Sequence, residues 1–333
     1  PEEFTDLQRS TPAQSAAGLP AVTSSMKHAL RESGAGRALK SWLGLNQKDG
    51  FDCPSCAWPD PDGHRAATEF CENGAKALAS EAANRNRCDA AFFKTHSVAE
   101  LAAQTDHWHE LQGRLTEPMV LRKGATHYES IAWDDAFSLI AEELHALSSP
   151  NEAIFYTSGR TVNEAAYLYQ LMARRFGTNN LPDCSNMCHE SSGAALKATI
   201  GIGKGTVSLQ DFEEAEAIFI FGQNPGTNHP RMLSSLQAAK RNGAEIVVVN
   251  PLKEAGLLGF AHPQEVRGML GMATPLAGQY LQVKINGDMA LLKGMQKALL
   301  AAEAEARGTV LDQKFIDQHT TGFDEWRTAV EAV

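Results

Sequence analysis

The sequence predicts an α/β fold: a doubly wound, mostly parallel sheet domain preceded by a cysteine-bearing N-terminal region. Three observations carry that expectation. Short apolar runs bounded by Gly, Asn and Pro recur at 153–156, 216–221 and 245–250. Stretches with apolar residues spaced at three and four separate or flank them, at 133–147, 163–176, 231–242 and 288–302. Buried parallel strands read as such unbroken apolar runs, and alternation with helices of about a dozen residues marks a doubly wound sheet. Five of the six cysteines fall in two clusters, Cys53, Cys56 and Cys71 in one and Cys184 and Cys188 in the other.

Length and composition bound the rest. A chain of 333 residues with 43% hydrophobic content has room for two domains or one large domain with an extension. Its 30 basic and 40 acidic residues leave a formal charge of −10, which argues against nucleic acid or an anionic membrane surface as a partner. No run of eighteen apolar residues predicts a membrane span. The first residues, Pro1-Glu-Glu-Phe4, resemble no secretory leader, so a cytoplasmic, reducing setting is expected.

Along the chain, 1–50 reads as a loosely organised arm with a short helix near 24–33, and 51–130 as a metal-loop region with a helix at 75–83. Residues 131–333 read as the α/β domain. A final helix at 328–333 carries no stop signal, and the expectation is a fragment of a longer protein.

Ligands of open α/β sheets bind beyond the carboxyl ends of the strands. Three polar motifs stand there: Thr157-Ser-Gly-Arg160-Thr with Asn163, Gly222-Gln-Asn224-Pro-Gly-Thr-Asn-His229-Pro, and Asn250-Pro-Leu-Lys253. Helix-start NH groups favour phosphate, while Asn, Gln and Thr side chains read heterocycle edges. Each motif alone is ordinary cap and turn chemistry; three at the ends of one sheet indicate a ligand.

Cys53-x2-Cys56 places two thiolates about one metal, with Cys71 as a remote ligand and Asp60 or His64 as the fourth. Spacing alone leaves open an iron–sulfur site, a Cys3Asp or Cys3His zinc site, and structural cysteines without metal. Cys188, beside His189 near a helix start, suits a nucleophile or a soft-metal ligand, and equally a buried thiol. Cys184 reads as structural and Cys88 as inert. Lys76, five residues after Cys71, is either a solvated helix residue or a bridge between two cofactors.

Together these pieces resemble a known pattern. Gly50-Phe-Asp-Cys-Pro-Ser-Cys-Ala-Trp-Pro-Asp60, Phe70-Cys-Glu-Asn-Gly-Ala-Lys76, Gly113-Arg-Leu-Thr-Glu-Pro-Met119, Tyr156–Thr161, the stretch 177–190 and Gly222–Pro230 follow the order found in the alpha subunit of molybdopterin-guanine-dinucleotide oxidoreductases. The chain resembles the formate dehydrogenase-like, acid-resistance-associated branch, N-terminal portion only. The resemblance implies a [4Fe–4S] cluster on Cys53, Cys56 and Cys71, with Asp60 standing where a further cysteine is usual. It implies Lys76 between cluster and pterin, Cys188 as ligand to molybdenum or tungsten, and His189 as proton acceptor. Arg160, Asn163, Gly222, Asn224, His229, Asn250 and Lys253 would then lie along one half of a bis-molybdopterin guanine dinucleotide cofactor.

The implied reaction is oxidation of formate or a similar small substrate, with electrons leaving through the cluster to an acceptor protein or subunit. Glu190-Ser191 follows His189 where Gly-Pro is usual, and an acidic group there disfavours an anionic substrate. The resemblance implies C-terminal domains beyond this chain, so the expectation is either half of a catalytic subunit completed by another chain or a truncated product with no turnover. The competing expectation is a non-catalytic metal-binding or interaction module, holding zinc or no metal on a retained α/β scaffold.

Overall fold

The computed structural model describes residues 11–56, 58–81, 83–159, 161–182 and 188–333. The chain falls into two compact units. One comprises the first residues up to Gly18, together with 212–228 and 232–333; the other comprises 19–211 with 229–231. Segment 131–211 therefore groups with the cysteine region, not with the parallel strands.

In the first unit, Ala217–Phe221, Glu245–Val249 and Gln279–Leu281 form a three-stranded parallel sheet, with Glu245–Val249 in the centre. The pattern of burial follows position. Ile246, Val248 and Val249 in the central strand are fully buried, while Ala217–Phe221 alternates, with Ile218 and Ile220 inward and Phe219 and Phe221 exposed. A continuous apolar run fits a strand covered on both faces, and alternation fits one covered on a single face. The helix Met232–Arg241 connects the two strands and buries Met232, Leu233, Leu236 and Ala239. A smaller sheet pairs Ala16–Ala17 in parallel with Gly259–Ala261, which pairs antiparallel with Thr274–Pro275. The helices Asp288–Glu305, Gln313–His319 and Phe323–Glu331 complete the unit.

The other unit is mainly helical. Contrary to the expected loose arm, Gly18–Glu32 and Ala35–Gly44 are helices. They are fastened to the helix Glu72–Ser80: Ser80 Oγ donates to Glu32 Oε2 at 2.7 Å, and Ser33 Oγ donates to the Ala79 carbonyl at 3.4 Å. Glu32 is 1% exposed, and His28 Nδ1 lies 3.2 Å from its other oxygen. The small residues that made this stretch read as a loop are the ones that let helices approach closely, since Ala29 and Ala38 are buried, as are Ala75 and Ala79 of the helix Glu72–Ser80.

A second correction concerns 153–156. This apolar run is extended but is not a strand; the Phe155 amide donates to the Asn180 carbonyl at 2.9 Å, and Asn180 Nδ2 donates to the Ala153 carbonyl at 3.2 Å. Its backbone needs are met by one polar loop residue instead of by a sheet. The helices Trp133–His145 and Asn163–Phe176 form as the periodicity predicts. The apolar stripe Trp133, Phe137 and Ile140 is nevertheless more than half exposed. No helix among the described residues is long and apolar enough to cross a membrane.

Candidate functional site

Asn46 organises the cysteine loop of the helical unit. It adopts a left-handed conformation, φ 56°, that asparagine tolerates better than most residues, and it is 3% exposed. Its Oδ1 accepts from the Cys53 amide at 2.8 Å, and its Nδ2 donates to the Glu69 carbonyl at 2.7 Å. One side chain thus pins both ends of the loop. Arg65 Nη1 donates to the Asn46 carbonyl at 2.7 Å from inside the same loop.

Cys71 caps the helix Glu72–Ser80, its Sγ accepting from the Gly74 amide at 3.4 Å. Gly74 is required here by close approach. A β-carbon at that position would sit 2.8 Å from Cys53 Sγ and 3.9 Å from Cys71 Sγ. The two sulfurs therefore converge over one helical turn that presents no side chain. Burial pushes the Cys71 thiol up to about 11; the Gly74 amide works the other way, and the neighbouring Cys53 and Cys56 raise it further. Three thiols in one sheltered place resist ionising together, and binding them as thiolates to a cationic centre relieves that repulsion. None of the described cysteines is in a disulfide. Among the described residues no three His, Cys, Asp or Glu side chains close around a single ion.

Lys76 lies on the helix that Cys71 caps and pairs with Glu72 one turn earlier. Asp60 is drawn elsewhere: its Oδ1 lies 2.7 Å from Arg231 Nη2 and its Oδ2 3.4 Å from Arg65 Nη1. His64, the alternative fourth ligand, lines a cleft of about 430 Å3 with Leu43, Gln47, Lys48 and Arg65.

In the strand unit, Gly222 follows Ala217–Phe221 with φ 61°, and its amide donates to the Val249 carbonyl at 2.9 Å. Asn250, 5% exposed, ends the central strand; its Nδ2 donates to the Gln223 carbonyl at 3.0 Å and its Oδ1 accepts from the Leu252 amide at 3.2 Å. Asn224 Nδ2 donates to Glu254 Oε2 at 2.8 Å. The structure thus brings Gly222, Asn224 and Asn250 together at the carboxyl ends of adjacent strands, with Lys253 exposed on the following turn. Two of the three expected motifs end strands of this sheet; the motif around Thr157 belongs to the other unit, because 153–156 is not a strand.

His229, grouped with the cysteine unit, has a buried Nδ1 with no hydrogen-bond partner among the described residues. A buried imidazole nitrogen left without a partner is expensive unless a ligand satisfies it. Asn163 opens its helix and is exposed. Cys188 and His189 are exposed, and His189 stands at the N-cap of the helix Glu190–Ile200. Arg160 and Cys184 lie outside the described residues.

Comparison with known proteins supplies the family. The model of the molybdopterin oxidoreductase family matches residues 114–306. The chain belongs to the molybdopterin oxidoreductase family. It is 57% identical to an uncharacterized oxidoreductase of Mycobacterium tuberculosis over 94% of this chain and 40% of that protein, a span that takes in the cysteine loop. It is 50% identical to the protein YdeP of Escherichia coli over 86% of this chain and 38% of that protein. Formate dehydrogenase H of Escherichia coli is 30% identical over 66% of this chain and 28% of its own length. The chain thus spans about 40% of the length of the first two of these relatives.

Asn46, Gly74 and Arg231 are the site residues that sequence reasoning missed. Only Gly74 left a usable signal there, as a glycine just before the predicted helix 75–83 and three residues after a candidate ligand.

Proposed function

We propose that this chain is the N-terminal part of a molybdenum or tungsten bis-pterin oxidoreductase of the formate dehydrogenase-like type. It would act on formate or a similarly small substrate and pass electrons through a [4Fe–4S] cluster. The observation that carries this reading is the convergence of Cys53 and Cys71 over Gly74 with Cys56 alongside, in a chain of this family.

The residues present fit the expected groups. Cys53, Cys56 and Cys71 supply soft thiolate donors from a loop fixed by Asn46, and the unpartnered His229 Nδ1 is ready to receive a hydrogen-bonding group of a pterin. The metal, when bound, supplies the two-electron step that side chains cannot. Cys188 would hold that metal, and an imidazole nitrogen of His189 would take the proton released from the substrate. Lys76, charged and placed on the cluster helix, would lie between the two redox groups. Gly222, Asn224, Asn250 and Lys253 would lie along the nucleotide part of the cofactor; Asn163 and Arg160 are the further cofactor-binding residues of this reading. A cytoplasmic location is part of this reading.

Molybdenum, tungsten and pterin content of the chain, purified anaerobically from a host with intact cofactor biosynthesis, tests this reading. Metal and pterin in wild type, and metal lost in Cys188→Ser, are expected. Zinc alone, or neither metal nor pterin, contradicts it and favours a non-catalytic module.

A further inference from the structure

We infer that Asp60 is an ion-pair anchor and not an iron ligand; with His64 lining a cleft whose walls include no cysteine, the cluster proposed above has three protein ligands and one iron open to water or a small exogenous ligand. The inference rests on the cluster reading for its second half only. Asp60 occupies the place in the cysteine loop where a fourth ligand is expected, but both of its oxygens lie against guanidinium groups: Oδ1 is 2.7 Å from Arg231 Nη2, a charge contact without hydrogen-bond geometry that leaves this oxygen held by charge alone, and Oδ2 is 3.4 Å from Arg65 Nη1.

Arg231 is 10% exposed and is the centre of the arrangement. Its Nη2 also meets Glu69 Oε1 at 2.7 Å, and its Nη1 donates to the Trp58 carbonyl at 3.1 Å. Glu69, whose Oε2 accepts from the Ala66 amide at 2.9 Å, completes the closure of the loop two residues before Cys71. For Asp60 to reach an iron, its carboxylate would have to leave two cations in a sheltered place. Breaking such a pair from one side exposes the remaining charge to its full desolvation cost. An Arg at this spot, with several donors in a fixed fork, can hold two carboxylates and a carbonyl at once.

The consequence is mechanical as well as electronic. Arg231 directly follows His229 and Pro230, the end of the expected pterin loop, so Asp60 and Glu69 fasten that loop's last residues to the cysteine loop. A cluster with one iron not held by protein is also the one that loses that iron on oxidation.

Two measurements on the whole chain test the inference. The first is a double-mutant cycle of thermal midpoints for the metal-free chain with Asp60→Asn, Arg231→Gln and both. An anchor predicts that the double variant loses less than the sum of the two single losses, because the Asp60–Arg231 contact is counted in both, although Arg231→Gln alone also gives up Glu69 and Trp58; full additivity overturns it. The second follows anaerobic reconstitution with iron and sulfide. In wild type, one-electron oxidation by ferricyanide is expected to release one Fe(II) and leave a [3Fe–4S] EPR signal, and Asp60→Asn should take up the same iron and give the same spectrum. Iron loss or a changed spectrum in Asp60→Asn, but not in Arg231→Gln, makes Asp60 a ligand and overturns the inference. Wild-type protein that takes up no iron contradicts the cluster reading and its open iron, while the cycle still decides whether Asp60 is an anchor.

Discussion

The parallel strands and the cysteine loop are held by opposite kinds of force. In Glu245–Val249 and the helix Met232–Arg241, shape is set by side chains that leave water completely, such as Ile246, Val248 and Leu236. Between residues 46 and 71, shape is set by a few directional contacts: Asn46 to Cys53 and Glu69, Arg65 to Asn46, and Arg231 to Asp60 and Glu69. A packed sheet needs nothing further to persist. A loop held by polar pins around three thiols has the architecture of a region completed by a ligand.

The comparison can be strained from either side. The largest effect is expected in the sheet, where Ile246→Ala should cost roughly 2–5 kcal/mol, read by chemical denaturation, with no change in metal uptake. Beneath the cysteine loop, Glu32→Ala should cost about 1–3 kcal/mol, because it deprives the buried Ser80 hydroxyl of its acceptor. Stability lost there with iron uptake retained would show that the helical base and the loop are separable.

Gly74→Ala separates local stability from site geometry. Alanine favours a helix over glycine by about 1 kcal/mol, yet its β-carbon would press on Cys53 Sγ. Helical signal maintained or raised with iron uptake reduced is the expected result; unchanged iron would mean that the two sulfurs do not need that space.

The smallest effect belongs to the surface pair Arg241–Glu265, with Nη1 to Oε1 at 2.7 Å. Arg241→Ala should cost about 0.2–1 kcal/mol. The Arg241 hydrogen bond holds the Glu265 carboxyl below its usual value of 4.5. The pair's contribution is thus present above that value and fades as pH falls through the lower folded value. Denaturation of wild type and variant should therefore converge at acid pH.

How much of this was legible in the sequence follows the same division. Strands 217–221 and 245–249 and the helices after 133, 163, 232 and 288 were visible, since burial writes itself as apolar runs and three-four spacing. The run at 153–156 misled for the same reason: four apolar residues specify extended backbone, and the bonds from Asn180 that absorb its polar groups leave no local pattern. The N-terminal arm misled because alanine-rich helices that pack closely look like loop composition. In the candidate site, the three cysteines stand out in the sequence by type and spacing. Asn46 and Arg231 did not, because a left-handed hub and a guanidinium paired across 171 residues of sequence are defined by the fold alone.

The most direct test of the account is iron per chain after anaerobic reconstitution, wild type against Cys71→Ser. About four irons with broad brown absorption are expected in wild type, largely lost in the variant, while the far-ultraviolet signal of the sheet and helices is retained. Equal iron in both proteins, or none in wild type, would contradict it.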